Sequence, residues 1–120
     1  MPPRVRRADP EAVAPARARW EQGEAQPADL RLLVKDSLAS LSLRAPGNSV
    51  EVRVPPFGAV QAVGGITHRR GTPPAVVETD PQTWLELVHG RRGWAEAVAV
   101  GAVVASGERS DLSDLLPLPD

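Results

Sequence analysis

Thr79-Asp80-Pro81-Gln82-Thr83-Trp84-Leu85-Glu86-Leu87-Val88-His89-Gly90 is the stretch that decides the fold of this chain. It leaves an apolar run, enters a helix and stops again. Asp80 is a good N-cap, because its carboxylate can accept from the free N–H groups of a first turn. Pro81 suits the first helical position, where no N–H is needed. Trp84, Leu85 and Val88 form an inner stripe at helical spacing, and Gly90 is a natural stop. Upstream, Pro73-Pro74-Ala75-Val76-Val77-Glu78-Thr79 reads as a strand, and its prolines predict a sheet edge. Downstream, about Gly93 to Val100 reads as a second helix carrying Trp94, Ala97 and Val98, with Gly101 ending it. Trp84 and Trp94 are both expected to be buried, on two helices hinged at Gly90. Ala102 to Ser106 is an unalternating strand, which predicts burial on both faces. Ser110 caps a last short helix with Leu112, Leu115 and Leu116 inward, closed by Pro117.

Nearer the N-terminus, Pro27 opens a helix in which Leu30, Leu33, Val34, Leu38 and Leu41 recur at helical spacing, with Arg31, Lys35 and Asp36 on the other side. Ser49-Val50-Glu51-Val52-Arg53-Val54 then alternates. That period predicts Val50, Val52 and Val54 inward and Glu51 and Arg53 outward. Phe57 to Val63 is a second strand, short and less clearly alternating, and Gly64-Gly65 leads into a polar loop, Thr67-His68-Arg69-Arg70-Gly71-Thr72. Strands clustered first and helices after predict an α+β fold: a mixed twisted sheet of four or five strands with helices packed on one face. Residues 1–26 are set apart by prolines, arginines and few large apolar groups. They predict a mobile or loosely docked arm, with a helix from Asp9-Pro10-Glu11 broken at Pro15, where a hydrogen bond is lost. The folded domain is expected over residues 27–120.

The bulk chemistry narrows the function. Cysteine is absent, so disulfides, thiolate metal sites and cysteine nucleophiles are excluded. A net charge of −1 gives no electrostatic reason to seek nucleic acid or an anionic membrane. The longest apolar run, Ala97 to Ala105, is too short to span a bilayer, so no transmembrane segment is expected. Met1 to Pro10 lacks the apolar core of a secretory signal, and a cytoplasmic location is expected. Two histidines cannot assemble a zinc site, and no H-E-x-x-H, phosphate-cradling or nucleophile-elbow motif occurs. Catalysis, a metal and a cofactor are therefore not expected. His89 is read as a surface cap at a helix end.

From Asp80 onward the order of helix, Gly90, helix at Trp94, Gly101, the strand Val103-Val104-Ala105-Ser106 and then Gly107-Glu108 resembles the sterol-carrier-like domains. Val50 to Gln61 and Arg70-Gly71-Thr72-Pro73-Pro74 resemble a small, stand-alone bacterial branch of that family. The resemblance covers roughly residues 27–118. It implies a twisted sheet with helices on one face and an apolar cavity or groove that takes acyl or sterol-like ligands. Similar domains also serve as appendages that shape a partner domain.

Two function readings follow. One is a non-catalytic binding module for a lipid-like small molecule, with Phe57, Trp84, Trp94 and Leu115 as the apolar wall. The anionic head would lie at His68, Arg69 and Arg70, with Arg91 and Arg92 as a second candidate pair, since a carboxylate is buried only beside such donors. The other is an accessory module whose core is filled by those same large side chains and whose partner is a protein. With aromatics at 3%, each large ring carries much of the core in either reading.

Overall fold

A computed structural model describes residues 5–65, 74–107 and 109–119. The element order is α1 (Pro10–Glu21), α2 (Pro27–Arg44), β1 (Val50–Val54), β2 (Gly58–Ala62), β3 (Ala75–Thr79), α3 (Pro81–Val88), α4 (Trp94–Ala99) and β4 (Val103–Ser106). The strands form one sheet in the order β2-β1-β3-β4. β1 runs antiparallel to β2 and parallel to β3, and β3 runs antiparallel to β4. This is the mixed α+β sheet that the sequence predicts, with four strands.

The alternation in β1 sets the layering. Val50, Val52 and Val54 are sealed, whereas Arg53 is exposed and ion-paired with Glu51 on the open face. α2 lies against β2 and α3, and α1 packs on α2 as an outer layer. Val34, Leu41, Val77, Leu85 and Leu112 complete the inner core.

Several local expectations are corrected. β3 is interior, not an edge, because Pro74 precedes its first paired residue and Ala75 still donates its N–H to Ser49 O at 2.9 Å. β4 is an edge strand, as is β2 at the other side of the sheet, and the outward Val104 of β4 is 63% exposed. Small apolar residues look alike in sequence whether they are covered on one face or two. Ser110 to Pro117 forms no helix. Leu115 N–H bonds Leu112 O at 2.9 Å in a single turn, and Leu118 N–H ties the tail to Val88 O at 3.0 Å. α4 buries only Ala97, so Trp94 is half-buried and Val98 exposed.

α1 is unbroken across Pro15, contrary to the break expected there. Pro15 cannot donate to the Glu11 carbonyl, yet Val13, Ala16 and Trp20 are buried on the inner face, and their burial holds the helix through the defect. Asp36, expected on the outer side of α2, is instead buried. It accepts from Arg7 Nη2 at 3.0 Å and from the Ala8 N–H at 2.8 Å. Helical periodicity cannot foresee a guanidinium arriving from 29 residues away.

A second clamp joins the α1 end to the α2 start. Arg19 donates to both Asp29 oxygens at 2.9 and 2.7 Å, and the Gln26 N–H donates to Oδ2 at 2.9 Å. The hydrogen bond from Arg19, then that from Gln26, lowers the Asp29 carboxyl to about 2. Its unfolded value is about 3.9. A depressed folded value stabilises the native state above the unfolded pKa, and this contribution is lost as pH falls toward 2. We expect the Asp29 carboxyl carbon to titrate near pH 2 by NMR, and to move up toward 4 in Arg19→Ala. A midpoint near 4 in the parent protein contradicts the clamp.

Candidate functional site

The residues read as an apolar wall belong to or pack against one core cluster, at different depths. Trp84 has no exposed surface, and its indole Nε1 donates to Ser37 Oγ at 2.8 Å inside the core. Phe57 is half-buried in the turn after β1, and Leu115 is half-buried in the C-terminal turn. Trp94, the first residue of α4, faces a groove that the other three do not line. His68, Arg69 and Arg70 lie outside the described residues. Register puts Ala62 and Ala75, the strand ends that flank this loop, beside Val50, at the opposite end of β1 from Phe57.

The groove runs between the α3–α4 turn and the C-terminal segment. Its volume is about 480 Å³, and its walls include Leu87, Arg91, Arg92, Trp94, Leu116 and Pro117. Leu87, 1% exposed, belongs to the core as well as to this lining. Gly90 lets the chain turn here at φ +74°, and a β-carbon there would lie 3.4 Å from the Pro117 ring. The groove is an open trough, not a closed tunnel. A tighter recess beneath α1, between Arg7, Asp36 and His89, holds only about 30 Å³, roughly the room for one water.

The two arginines of the trough differ in their commitments. Arg92 Nε donates to Glu96 Oε2 at 3.0 Å, and its Nη1 lies 3.7 Å from Glu86. The hydrogen bond to Glu96, followed by nearby carboxylate charge, raises its pKa. Arg91 has a looser carboxylate contact, with Glu21 at 3.8 Å. Its guanidinium lies 4.9 Å from the Trp20 ring centre. The His89 ring also meets Trp20, at 4.8 Å between centroids. His89 Nδ1 lies 2.8 Å from Leu85 O, an oxygen that can only accept, so Nδ1 carries the proton. His89 thus caps the α3 end, as read from the sequence, and also stacks on a ring from α1.

A family model described as bacterial SCP ortholog matches residues 26–118. The chain belongs to this bacterial sterol carrier protein-like family. No curated protein matches it. The SCP-like match takes in α2, the sheet, α3, α4 and the whole trough, while α1 and Trp20 precede it. No helix among the described residues of this SCP-like chain is long and apolar enough to cross a membrane. Leu87 and Leu116 were not singled out as lining residues in the sequence. Leu116 was read as an inward helical position and Leu87 lay outside the inner stripe read for α3, so periodicity gave no sign that both line one groove. Spacing puts Trp20 on one helical face with Val13, but nothing in the sequence links it to Arg91.

Proposed function

We propose that this protein is a non-catalytic binding module for a single-chain amphipath, with the apolar body along the trough and a carboxylate head at Arg91. The observation that carries the reading is the trough itself: Trp94, Leu87, Leu116 and Pro117 line a space of about 480 Å³ with Arg91 among them. That size lies within the range of small-molecule sites. Of the wall residues expected from sequence, only Trp94 enters this version of the site. Arg91 replaces the head-group loop because its guanidinium is the less committed of the pair.

An open trough covers one side of a chain, so affinity is modest. Burying about six methylenes at about 0.8 kcal/mol each gives about 5 kcal/mol, a Kd on the order of 0.2 mM. Titration with laurate, read by tryptophan fluorescence and by NMR shifts at Trp94, is expected to saturate in that range. Arg91→Ala is expected to weaken it about fivefold, the size of one exposed charge pair. No change up to about 2 mM laurate, or shifts confined to residues away from Trp94, would sink the reading.

An accessory, protein-interaction role is the second reading. Two observations favour it: Trp84 fills the core completely, and Val98, Val100 and Val104 stand exposed along the α4–β4 edge. Native mass spectrometry of the purified protein separates the two. A co-purified acyl species supports the carrier, and a retained protein partner supports the accessory module.

A further inference from the structure

We infer that Trp20 is a positioning residue for the trough: α1 carries its indole to the α3–α4 turn, where it holds the Arg91 guanidinium ready for the ligand's anionic head. This rests on the amphipath reading above and extends it to a segment that lies before the family match.

An arginine in a turn has a long side chain with many rotamers, and most of its conformers point into water. A head-group site needs that freedom removed before the ligand arrives. Trp20 is fitted to do this. It is only 6% exposed, and its Nε1–H donates to Gln82 Oε1 at 2.9 Å, which fixes the ring plane. His89 packs on the same ring, and its own Nδ1 is tied to the α3 backbone. The Arg91 guanidinium then rests 4.9 Å from the ring centre, within the distance at which a cation is attracted to a π face. The Arg91 backbone is held too, its N–H donating to Glu86 O at 2.8 Å. Its carboxylate contact, Glu21, is met through Nη2 at 3.8 Å. A guanidinium carries five N–H donors, so the fork can still receive an incoming carboxylate. Arg92 is held by acids instead. The first helix, which lies outside the SCP-like match, thereby completes the site.

The test compares the parent protein, Trp20→Leu and Trp20→Phe. The probes are octanoate and 1-octanol, which share an apolar chain and differ in head charge. NMR reads both binding and the Arg91 side-chain Nε–H, which a ring face shifts upfield. In Trp20→Leu the upfield shift is expected to vanish. Octanoate should then bind about threefold more weakly, while octanol affinity stays the same. Trp20→Phe, which keeps a π face, should restore much of both signals. Equal weakening of octanoate and octanol would show that Trp20 serves only as core and would overturn the proposal, as would unchanged octanoate binding in Trp20→Leu. An Arg91 Nε–H without an upfield shift in the parent also overturns it, whatever binds. If the shift is present but neither probe binds the parent, the carrier reading fails, and the ligand role given to Trp20 falls with it.

Discussion

Trp84→Ala is expected to lower the unfolding free energy by roughly 3–5 kcal/mol, the cost of a large-to-small change in a core that cannot collapse around the gap. For a domain of this size that is a fall in Tm of roughly 10–20 °C, or loss of the folded state. Trp84 is the largest fully buried side chain, set among sealed residues such as Leu85, and its removal also takes away the N–H bonded to Ser37 Oγ. Trp94→Ala is the matched comparison. Its ring is half-buried at the trough, so its loss should cost about 1 kcal/mol. Denaturant unfolding of the two variants reads the difference directly. Equal costs would mean that Trp94 is as deeply packed as Trp84, or that Trp84 is not sealed.

Gly47→Ala is expected to destabilise by roughly 2–4 kcal/mol, more than any exposed turn position normally does. Gly47 lies between α2 and β1 with φ at +147°, and a β-carbon there would overlap the Val63 carbonyl oxygen and the Gly64 nitrogen. Those atoms cannot yield easily. Val63 O accepts from the Ser49 N–H at 3.0 Å, and the Val63 N–H donates to Ala45 O at 2.6 Å, which together join the α2 end to the β2 end. Gly23→Ala separates the two causes. Gly23 also has a positive φ, +75°, but open space where its β-carbon would go, so only backbone strain of about 1 kcal/mol is expected. Thermal unfolding should therefore rank Gly47→Ala well below Gly23→Ala. If the two match, the close approach at Val63 is not a constraint.

In β1 and α3 the structure follows the repeating and capped patterns of the sequence, whereas the capped stretch after Ser110 forms no helix. β1 keeps its alternation residue by residue, because shifting a half-buried strand by one position would expose all of its valines. α3 begins and ends where its cap and glycine say, and the Asp80 carboxylate accepts from the Thr83 N–H at 3.2 Å. These are local choices, settled by groups within one turn or one pleat of each other.

The candidate site was only partly legible. The sequence marked Trp94, and Arg91 with Arg92, as residues of interest. It could not show that Arg91 is the freer of the two, because that depends on Glu96 and Glu86 lying beside Arg92 in space. It grouped Phe57, Trp84, Trp94 and Leu115 by residue type, and the fold sets them at different depths on one core, with only Trp94 of the four lining the trough. The start of the first helix was legible from its cap, but its continuation through Pro15 was not. Its docking was not, because Arg7–Asp36, Arg19–Asp29 and Trp20–Gln82 join side chains separated by 29, 10 and 62 residues. The sequence by itself determined α2, α3 and the inward and outward faces of β1, since these are written in short-range periodicity and local caps, and its motif order resembled the family that the match then showed. Only the tertiary structure decided which strand lies at the edge, that the first helix is docked, and that Trp20 meets Arg91. Those outcomes depend on which surfaces meet after the chain has closed long loops, and no local pattern encodes that meeting.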